Sequence, residues 1–159
     1  MVEVVCRRPT PGEAGAVCAL IRGILMTDFP AFPPEAIHDY LAPWTPSAVT
    51  ARLESGHDVI ITALAGDEHI GLVSGAAPEG GVGTVMWLLV DARWRGRRAG
   101  RALYEASCRA YRDLGAHKMK LTAPSERAKR FYETCGMRLE GVHPDHWYHA
   151  TFFSLGVVL

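Results

Sequence analysis

Five arginines lie within residues 93–101, in the stretch DARWRGRRAGRAL, where glycines and other small residues separate them. The apolar run TVMWLLV (84–90) precedes them and a helical pattern follows, so the stretch forms a turn from a buried strand into a helix. Amides at a helix N-terminus are unpaired and carry the positive end of the helix dipole. Gly96 and Gly100 allow phosphate oxygens to approach the backbone closely, and the arginines add charged donors. The sequence therefore predicts a site for a pyrophosphate-bearing ligand.

The arginine cluster also admits two roles besides pyrophosphate binding. The arginines could simply solubilise a helix start, although basic side chains oppose the dipole at that end. They could also bind nucleic acid, although the 17 Lys and Arg residues only balance the 17 Asp and Glu residues. Because nucleic-acid binders usually carry a broad basic excess, we expect a small polyanion and no nucleic-acid partner.

Length and composition limit the class of protein. A chain of 159 residues with 48% hydrophobic residues can bury the core of one globular domain, which we place at residues 1–159. Its apolar runs are too short for a membrane span, and its N-terminal residues lack the apolar core of a signal peptide. The four cysteines show no CxxC spacing, so no metal site or disulfide framework is expected. These features favour a cytoplasmic protein without a membrane partner.

Hydrophobic periodicity predicts strands and helices in alternation. Predicted helices cover 13–26, 34–41, 48–56, 100–114 and 125–135, and predicted strands cover 2–8, 58–66, 69–77, 84–90 and 117–123, with one or two more in the tail 146–159. This order predicts an α/β fold with a mixed sheet and helices on both faces. The strand 84–90 is apolar on both sides, which places it at the centre of the sheet.

The turn after that strand resembles motif A of the GNAT superfamily of N-acetyltransferases. The family pattern is Arg/Gln-x-x-Gly-x-Gly/Ala, and RGRRAG matches it with Arg95 first and Gly100 last. Arg98 stands where the family has its middle glycine. Backbone amides survive any substitution except proline, so the donors of the motif remain.

A second segment, SERAKRFYETCGM, resembles the family's later helix, Asn-x-x-Ala-x-x-Phe/Leu-Tyr-x-x-x-Gly-Phe. Ser125 takes the asparagine position and Met137 that of the final phenylalanine, while Phe131 and Tyr132 form the aromatic pair. Both motifs occur in the family's order and spacing, and the strand and helix pattern covers nearly the whole chain.

The resemblance implies a mostly antiparallel mixed sheet and acetyl-CoA as the acyl-donor cosubstrate. Amides of the turn would bind the pyrophosphate, and the pantetheine arm would pair with the central strand like an added strand. The residues expected to hold acetyl-CoA are Leu88, Leu89, Val90, Arg95, Gly96, Arg97, Arg98, Ala99, Gly100, Arg101, Ser125 and Tyr132.

The resemblance also assigns two catalytic groups. The backbone N–H of Leu88 would polarise the thioester carbonyl as an oxyanion donor, although 84–90 could equally be an ordinary core strand. The Tyr132 phenol, with an ordinary pKa of about 10, would protonate the departing thiolate, although it could instead pack in the core.

Neither the general base nor the acceptor is fixed by the sequence. The strand 84–90 has no carboxylate, and a water relay is as consistent as any of the candidate bases Asp28, Glu35, His38, Glu79, His143 and His146. Acceptor specificity is expected from the segment 27–40 and from HPDHWYH (143–149). The first combines Asp28, Glu35 and Asp39 with Phe29, Phe32 and Tyr40, which suits a cationic, partly apolar amine, although such loops could simply cover the core.

We therefore predict an N-acetyltransferase that moves the acetyl group of acetyl-CoA to a primary amine of a small molecule or peptide, by direct attack on the thioester. The main alternative is a CoA-binding sensor or interaction module without turnover. The missing strand carboxylate and Arg98 favour that alternative, and Tyr132 argues against it. Exposed strands of two copies often pair in this family, so a homodimer is a further hypothesis.

Overall fold

Seven strands form one sheet in the computed structural model, which describes residues 2–29 and 31–159. Pro30, in the predicted acceptor segment, and Met1 lie outside the described residues. The strands are β1 Val4–Arg7, β2 Val59–Ala65, β3 Glu68–Glu79, β4 Val82–Val90, β5 Lys118–Ala123, β6 Arg138–His143 and β7 Phe152–Val158. Their order is β1-β2-β3-β4-β5-β7-β6, and β4 and β5 form the parallel pair among antiparallel neighbours. The predicted mixed, mostly antiparallel sheet is confirmed.

Helices cover both faces of this sheet, as the sequence predicts. They are α1 Ala14–Asp28, α2 Pro34–Leu41, α3 Pro46–Ser55, α4 Ala99–Asp113 and α5 Glu126–Thr134. One core joins α1 and α3 to the sheet through residues such as Ile21, Val49 and Leu72. The other core joins α4 and α5 to the opposite face through Leu103 and Tyr132. Among the described residues, no helix combines the length and apolar character needed to cross a membrane.

Among the described strands and α-helices, β6 is the one that the sequence pattern does not predict. It lies at the edge of the sheet and pairs only with β7, and most of its side chains are exposed. An edge strand with little burial needs no regular apolar pattern, so its sequence RLEGVH carries a weak signal. The tail supplies a single strand, β7, because Asp145, Tyr148 and His149 adopt positive φ angles and turn the chain before it.

The central strand β4 separates from β5 halfway along its length. Parallel pairing runs only from Val82 to Val85, and the following part of β4 keeps β3 as its neighbour. The register against β3 jumps from Val85 to Trp87, so Met86 is the extra residue of a β-bulge. A bulge bends its strand and increases the local twist, which accounts for the divergence. The predicted central position is confirmed, while the second half of the strand faces an opening instead of a neighbour.

Tyr111 fixes helix α4 on the sheet beneath this opening. Its ring is fully buried, and its hydroxyl lies 2.8 Å from the Thr84 carbonyl oxygen, to which it donates. Gly83 leaves the space for the ring, since a Cβ atom there would overlap the Tyr111 side chain. The position of α4, and with it the turn at its N-terminus, therefore depends on a glycine in β4.

We expect Gly83→Ala to lower the free energy of unfolding by about 1–3 kcal/mol, because the methyl group forces Tyr111 from its place. Gly23→Ala is the matched control: Gly23 is exposed on α1 with no atom within 4 Å of an added Cβ, so alanine should stabilise the helix by about 0.5–1 kcal/mol. Urea denaturation measures both. Equal stability of the Gly83 variant and the wild type would contradict this packing.

Candidate active site

A cleft of about 1050 Å³ opens where β4 and β5 diverge. It is bordered by the end of β4, the turn before α4, helix α5, helix α2 and the segment 144–152. The predicted cofactor residues that line it are Leu88, Leu89, Val90, Arg95, Gly96, Arg98, Gly100, Arg101, Ser125 and Tyr132. Two other predicted residues do not line the cleft. Ala99 is buried in the first turn of α4, and the Arg97 guanidinium stacks on Trp94 at 5.2 Å from the ring centre.

The turn before α4 presents its backbone amides without partners. Within the described part of the chain, the N–H groups of residues 96–101 have no hydrogen-bond acceptor. Arg98 is the N-cap residue and has a left-handed backbone with φ +67°, the conformation that a glycine would adopt freely. The substitution in the motif therefore preserves the shape of the turn. Unpaired amides in a concave turn at a helix N-terminus form an anion-binding surface.

The clustered arginines have different partners. Arg93 is paired with Glu68 and Asp91, and its hydrogen bonds lower the pKa of Asp91. Arg101 donates to the Thr134 carbonyl oxygen at 2.9 Å. Among the cluster residues that line the cleft, Arg98 is the one whose guanidinium has no partner in the described chain. Most arginines of the cluster therefore stabilise the turn through contacts within the protein, and the Arg98 guanidinium is available to a ligand.

Arg95 ties the turn to helix α1. Its guanidinium lies 2.5 Å from Asp28 Oδ2 at the end of α1, and its Nε donates to the Val90 carbonyl oxygen at 3.2 Å. The first position of the motif thus supports the loop, because both contacts lie within the protein.

The backbone of Leu88 points into the opening. The Asp91 N–H donates to the Ile70 carbonyl oxygen on β3, and successive peptides of a strand alternate in direction. The register pairs Val90 with Gly71 and Leu88 with Val73, so the N–H and C=O groups of Leu88 and Val90 face away from β3. The Arg95 contact with the Val90 oxygen comes from that open side. The Leu88 N–H is therefore available as a donor within the cleft.

Tyr132 lies on α5 with only 8% of its surface exposed, and it lines the cleft. Its ring packs edge-on against Phe131, with ring centres 5.1 Å apart. Burial, with a smaller contribution from Cys135, raises the pKa of Tyr132, so its phenol stays protonated through the neutral range. In the described residues the hydroxyl has no hydrogen-bond partner, which leaves its proton free for a ligand.

Ser125 combines two tasks at the start of α5. Its hydroxyl oxygen accepts a hydrogen bond from the Ala128 N–H at 3.1 Å, as the predicted N-cap does. A hydroxyl that accepts can still donate its own proton. Because Ser125 also lines the cleft, that proton can serve a bound ligand.

The candidate bases named from the sequence do not line this cleft. Asp28 is paired with Arg95, His143 lies 2.6 Å from Ser154 Oγ, and Glu79 sits beside Val82 at the far end of β4; the others are Glu35, His38 and His146. Along the described lining, the one carboxylate is Asp39 on α2. Its Oδ2 accepts a hydrogen bond of 2.6 Å from the Tyr148 hydroxyl, which raises the pKa of Tyr148 to about 12.

Sequence reasoning missed several contributors to the lining, among them Trp87, Arg127 and Phe152. Trp87 reads as a core residue of the apolar strand, yet the bulge brings it to the cleft. Arg127 lies in the helix motif at one of its variable positions, and Phe152 lies in a segment without a functional signal. Only the arrangement of the strands brings these residues together.

Residues 20–137 match the model of the Acetyltransferase (GNAT) family. The match covers more than half of the chain, so the chain belongs to this family of acetyltransferases, and acetyl-CoA is its acetyl donor. A search of the curated proteins finds no matching relative.

Solved structures show the same fold. An acetyltransferase of the GNAT family from Streptococcus pneumoniae is similar with a TM-score of 0.80 and 18% identity, and 99% of each chain is covered. PaiA N-acetyltransferase from Thermoplasma acidophilum, in complex with coenzyme A, gives a TM-score of 0.79 at 12% identity, covering 96% of this chain and 98% of that one. An aminoglycoside 6′-N-acetyltransferase complexed with coenzyme A gives 0.71 at 14% identity, covering 97% and 96%.

The left-handed backbone of Arg98 predicts how glycine and alanine at this position affect the free energy of unfolding. This conformation costs an alanine about 1–2 kcal/mol but suits glycine, whose extra loss of chain entropy is about 0.5–1 kcal/mol. We therefore expect Arg98→Gly to be more stable than Arg98→Ala in urea denaturation, by up to about 1 kcal/mol. At Arg97, which has no positive φ, alanine should be the more stable of the two. The same order at both positions would contradict the assigned backbone.

Proposed function

We propose that this acetyltransferase acts on a primary amine of a small molecule or peptide, within the cleft between β4 and β5. The observation that carries the proposal is the divergence of these strands beside the unpaired amides of residues 96–101. It provides an open strand edge for an amide-containing arm and an anion-binding turn at one end of that edge. Helix α2 and the segment 144–152 enclose the other end, where an acceptor would enter.

The residues present fit acetyl-CoA. The amides of 96–101 and the unpaired Arg98 would hold its pyrophosphate. The outward C=O group of Leu88 and the outward N–H group of Val90, with the Ser125 hydroxyl, would bind the amides of its pantetheine arm. Bound in this way, acetyl-CoA supplies an activated thioester at the bend of β4.

Two groups of this chain would then promote the transfer. The Leu88 N–H donates a hydrogen bond to the thioester oxygen, which gains negative charge as the amine nitrogen bonds to the acetyl carbon. The Tyr132 hydroxyl gives its proton to the sulfur as the C–S bond breaks, so coenzyme A leaves as the thiol. The acceptor nitrogen, an ammonium in solution, loses one proton to solvent before it attacks and a second as the amide forms, and the Tyr132 oxygen is reprotonated from solvent. Atoms and charge therefore balance, with an amide, a thiol and one proton released to solvent as products.

Free-thiol release tests this function. Acetyl-CoA is incubated with the protein and, in turn, with 2-phenylethylamine, spermidine, kanamycin and a short unblocked peptide. Thiol release with any of these amines supports the proposal. Binding of acetyl-CoA without release would favour the sensor or interaction module, for which the absence of a carboxylate from β4 is the supporting observation. Cytoplasmic location, a single domain over 1–159 and a homodimer stay predictions.

Arg98 and Arg97 give a matched test of the donor site. Arg98 lines the cleft and Arg97 does not, although they are adjacent and both exposed. We expect Arg98→Gly, which keeps the turn, to weaken coenzyme A binding about 5-fold in calorimetry at low salt, as for an exposed charged contact. The loss should shrink at high salt through screening. Arg97→Gly should change the Kd less than 2-fold, and equal losses would contradict the assignment of Arg98.

Replacing Tyr132 by Phe tests its role as the acid. We expect kcat to fall about 100-fold, the usual contribution of a positioned proton donor, while the Kd of acetyl-CoA stays within about 2-fold. Tyr104→Phe is the control, because Tyr104 is a buried tyrosine on α4 that does not line the cleft. Stopped-flow thiol release and calorimetry measure the two quantities. Unchanged kcat in the Tyr132 variant would remove this residue from catalysis.

A further inference from the structure

Aromatic rings from three separate elements enclose the acceptor end of the cleft. The ring of Tyr40, on α2, is the centre of the group. It packs edge-on against Phe32 at 5.7 Å between ring centres and against Trp87 on β4 at 5.1 Å. It also packs edge-on against Tyr148, at 5.7 Å. Such a group presents broad apolar faces and ring faces of negative potential, which attract cations.

One carboxylate belongs to this aromatic wall. Asp39 is adjacent to Tyr40 on α2, and one of its oxygens is held by the Tyr148 hydroxyl at 2.6 Å. Its other oxygen, Oδ1, has no hydrogen-bond partner in the described chain. A carboxylate held in this way keeps a fixed acceptor for an N–H donor, and an ammonium group is the strongest donor of that kind.

The segment that carries Tyr148 has a strained backbone, and this backbone places the Tyr148 hydroxyl next to Asp39. Tyr148 has φ +53° and His149 has φ +61°, both in the left-handed region, which costs about 1–2 kcal/mol per residue. The His146 N–H donates to the Ala150 carbonyl oxygen at 2.9 Å and closes the loop. Strained non-glycine residues beside a cleft persist where their surroundings fix them, and here they aim a phenol at Asp39.

Charge is divided along the cleft. The lining arginines, Arg95, Arg98, Arg101 and Arg127, lie on the turn, on α4 and on α5, whereas Asp39 lies on α2. An anionic donor is therefore drawn to one end and a cationic acceptor to the other. Because Asp39 is the one carboxylate of the described lining, it can neutralise one ammonium. Polyamines and aminoglycosides carry further ammonium groups, for which the described lining has no second carboxylate.

We propose that the acceptor of this enzyme is an arylalkylamine, a primary amine with one positive charge and an aromatic body. Asp39 Oδ1 binds its ammonium group, which loses one proton to solvent before it attacks the thioester, and the rings around Tyr40 bind its body. This inference rests on the proposed function, since it names the acceptor class for the same cleft. Asp39 is a specificity-determining residue here, and Tyr148 is a positioning residue that acts through it.

Steady-state acetylation of matched amines tests the inference. We expect kcat/KM for 2-phenylethylamine to exceed that for spermidine and kanamycin by at least about 10-fold, because a single ion pair with a buried aromatic body suits this pocket. Cyclohexylethylamine, of similar size but without a ring face, should fall between them. A preference for spermidine or kanamycin would overturn the inference.

Variants identify the pocket responsible. We expect Asp39→Asn to raise KM for 2-phenylethylamine about 3- to 5-fold, the loss of one exposed charged contact. Glu54→Gln removes an exposed charge on α3, outside the cleft lining, and should leave KM within about 2-fold. Tyr148→Phe should raise KM by a smaller factor than Asp39→Asn. Equal effects of the Asp39 and Glu54 variants would overturn the role of Asp39.

A second measurement separates this inference from the proposed function. Calorimetry with 2-phenylethylamine and the coenzyme A-bound protein should show binding that Asp39→Asn weakens and Tyr132→Phe leaves intact. If another amine of the panel is acetylated and 2-phenylethylamine neither binds nor reacts, the acceptor class is wrong and the acetyltransferase assignment stands. If coenzyme A fails to bind and no amine is acetylated, the function itself is wrong.

Discussion

The parallel pairing of β4 and β5 ends after Val85, and the cleft depends on that interruption. A strand inside a sheet normally forms hydrogen bonds through its N–H and C=O groups to a neighbouring strand on each side. Past the bulge at Met86, β4 keeps one neighbour, so the peptide groups of Leu88 and the N–H group of Val90 remain for a ligand, while the Val90 carbonyl oxygen accepts from Arg95. Both the amide edge and the space beside it result from this one irregularity. The core on either face is unaffected, because α1 and α4 still pack against the strands on their own sides.

The anion-binding turn is built from backbone, and its arginines mostly support it. Arg95 connects the turn to α1 through Asp28, and Arg101 connects the start of α4 to the end of α5. These contacts hold the unpaired amides of residues 96–101 in place. The left-handed Arg98 shows that the turn depends on a conformation rather than on a glycine as such. Its side chain is then free to add the charge that a glycine lacks.

Opposite charges at the two ends of the cleft match the two substrates of an acyl transfer to an amine. The donor is a polyanion and the acceptor is a cation before it reacts, so each is attracted to its own end. Leu88 and Tyr132 both line the cleft, on β4 and α5, and in the proposed mechanism the Leu88 N–H and the Tyr132 hydroxyl act on the same thioester. Burial of its ring keeps Tyr132 protonated through the neutral range, which suits a proton donor.

The sequence by itself determined the alternation of strands and helices, the family, the turn at residues 95–101 and the helix that carries Ser125 and Tyr132. These features depend on local periodicity, capping and motif spacing, which involve residues close together in the sequence. Only the tertiary structure decided that Trp87 lines the cleft as well as packing against the core, that Arg97 stacks on Trp94 outside the cleft lining and that β6 forms the edge of the sheet. It also decided that Asp39 lines the cleft beside Tyr148, which is 109 positions away in the chain. Contacts between residues so far apart depend on how strands diverge and loops return, and no local pattern encodes that geometry.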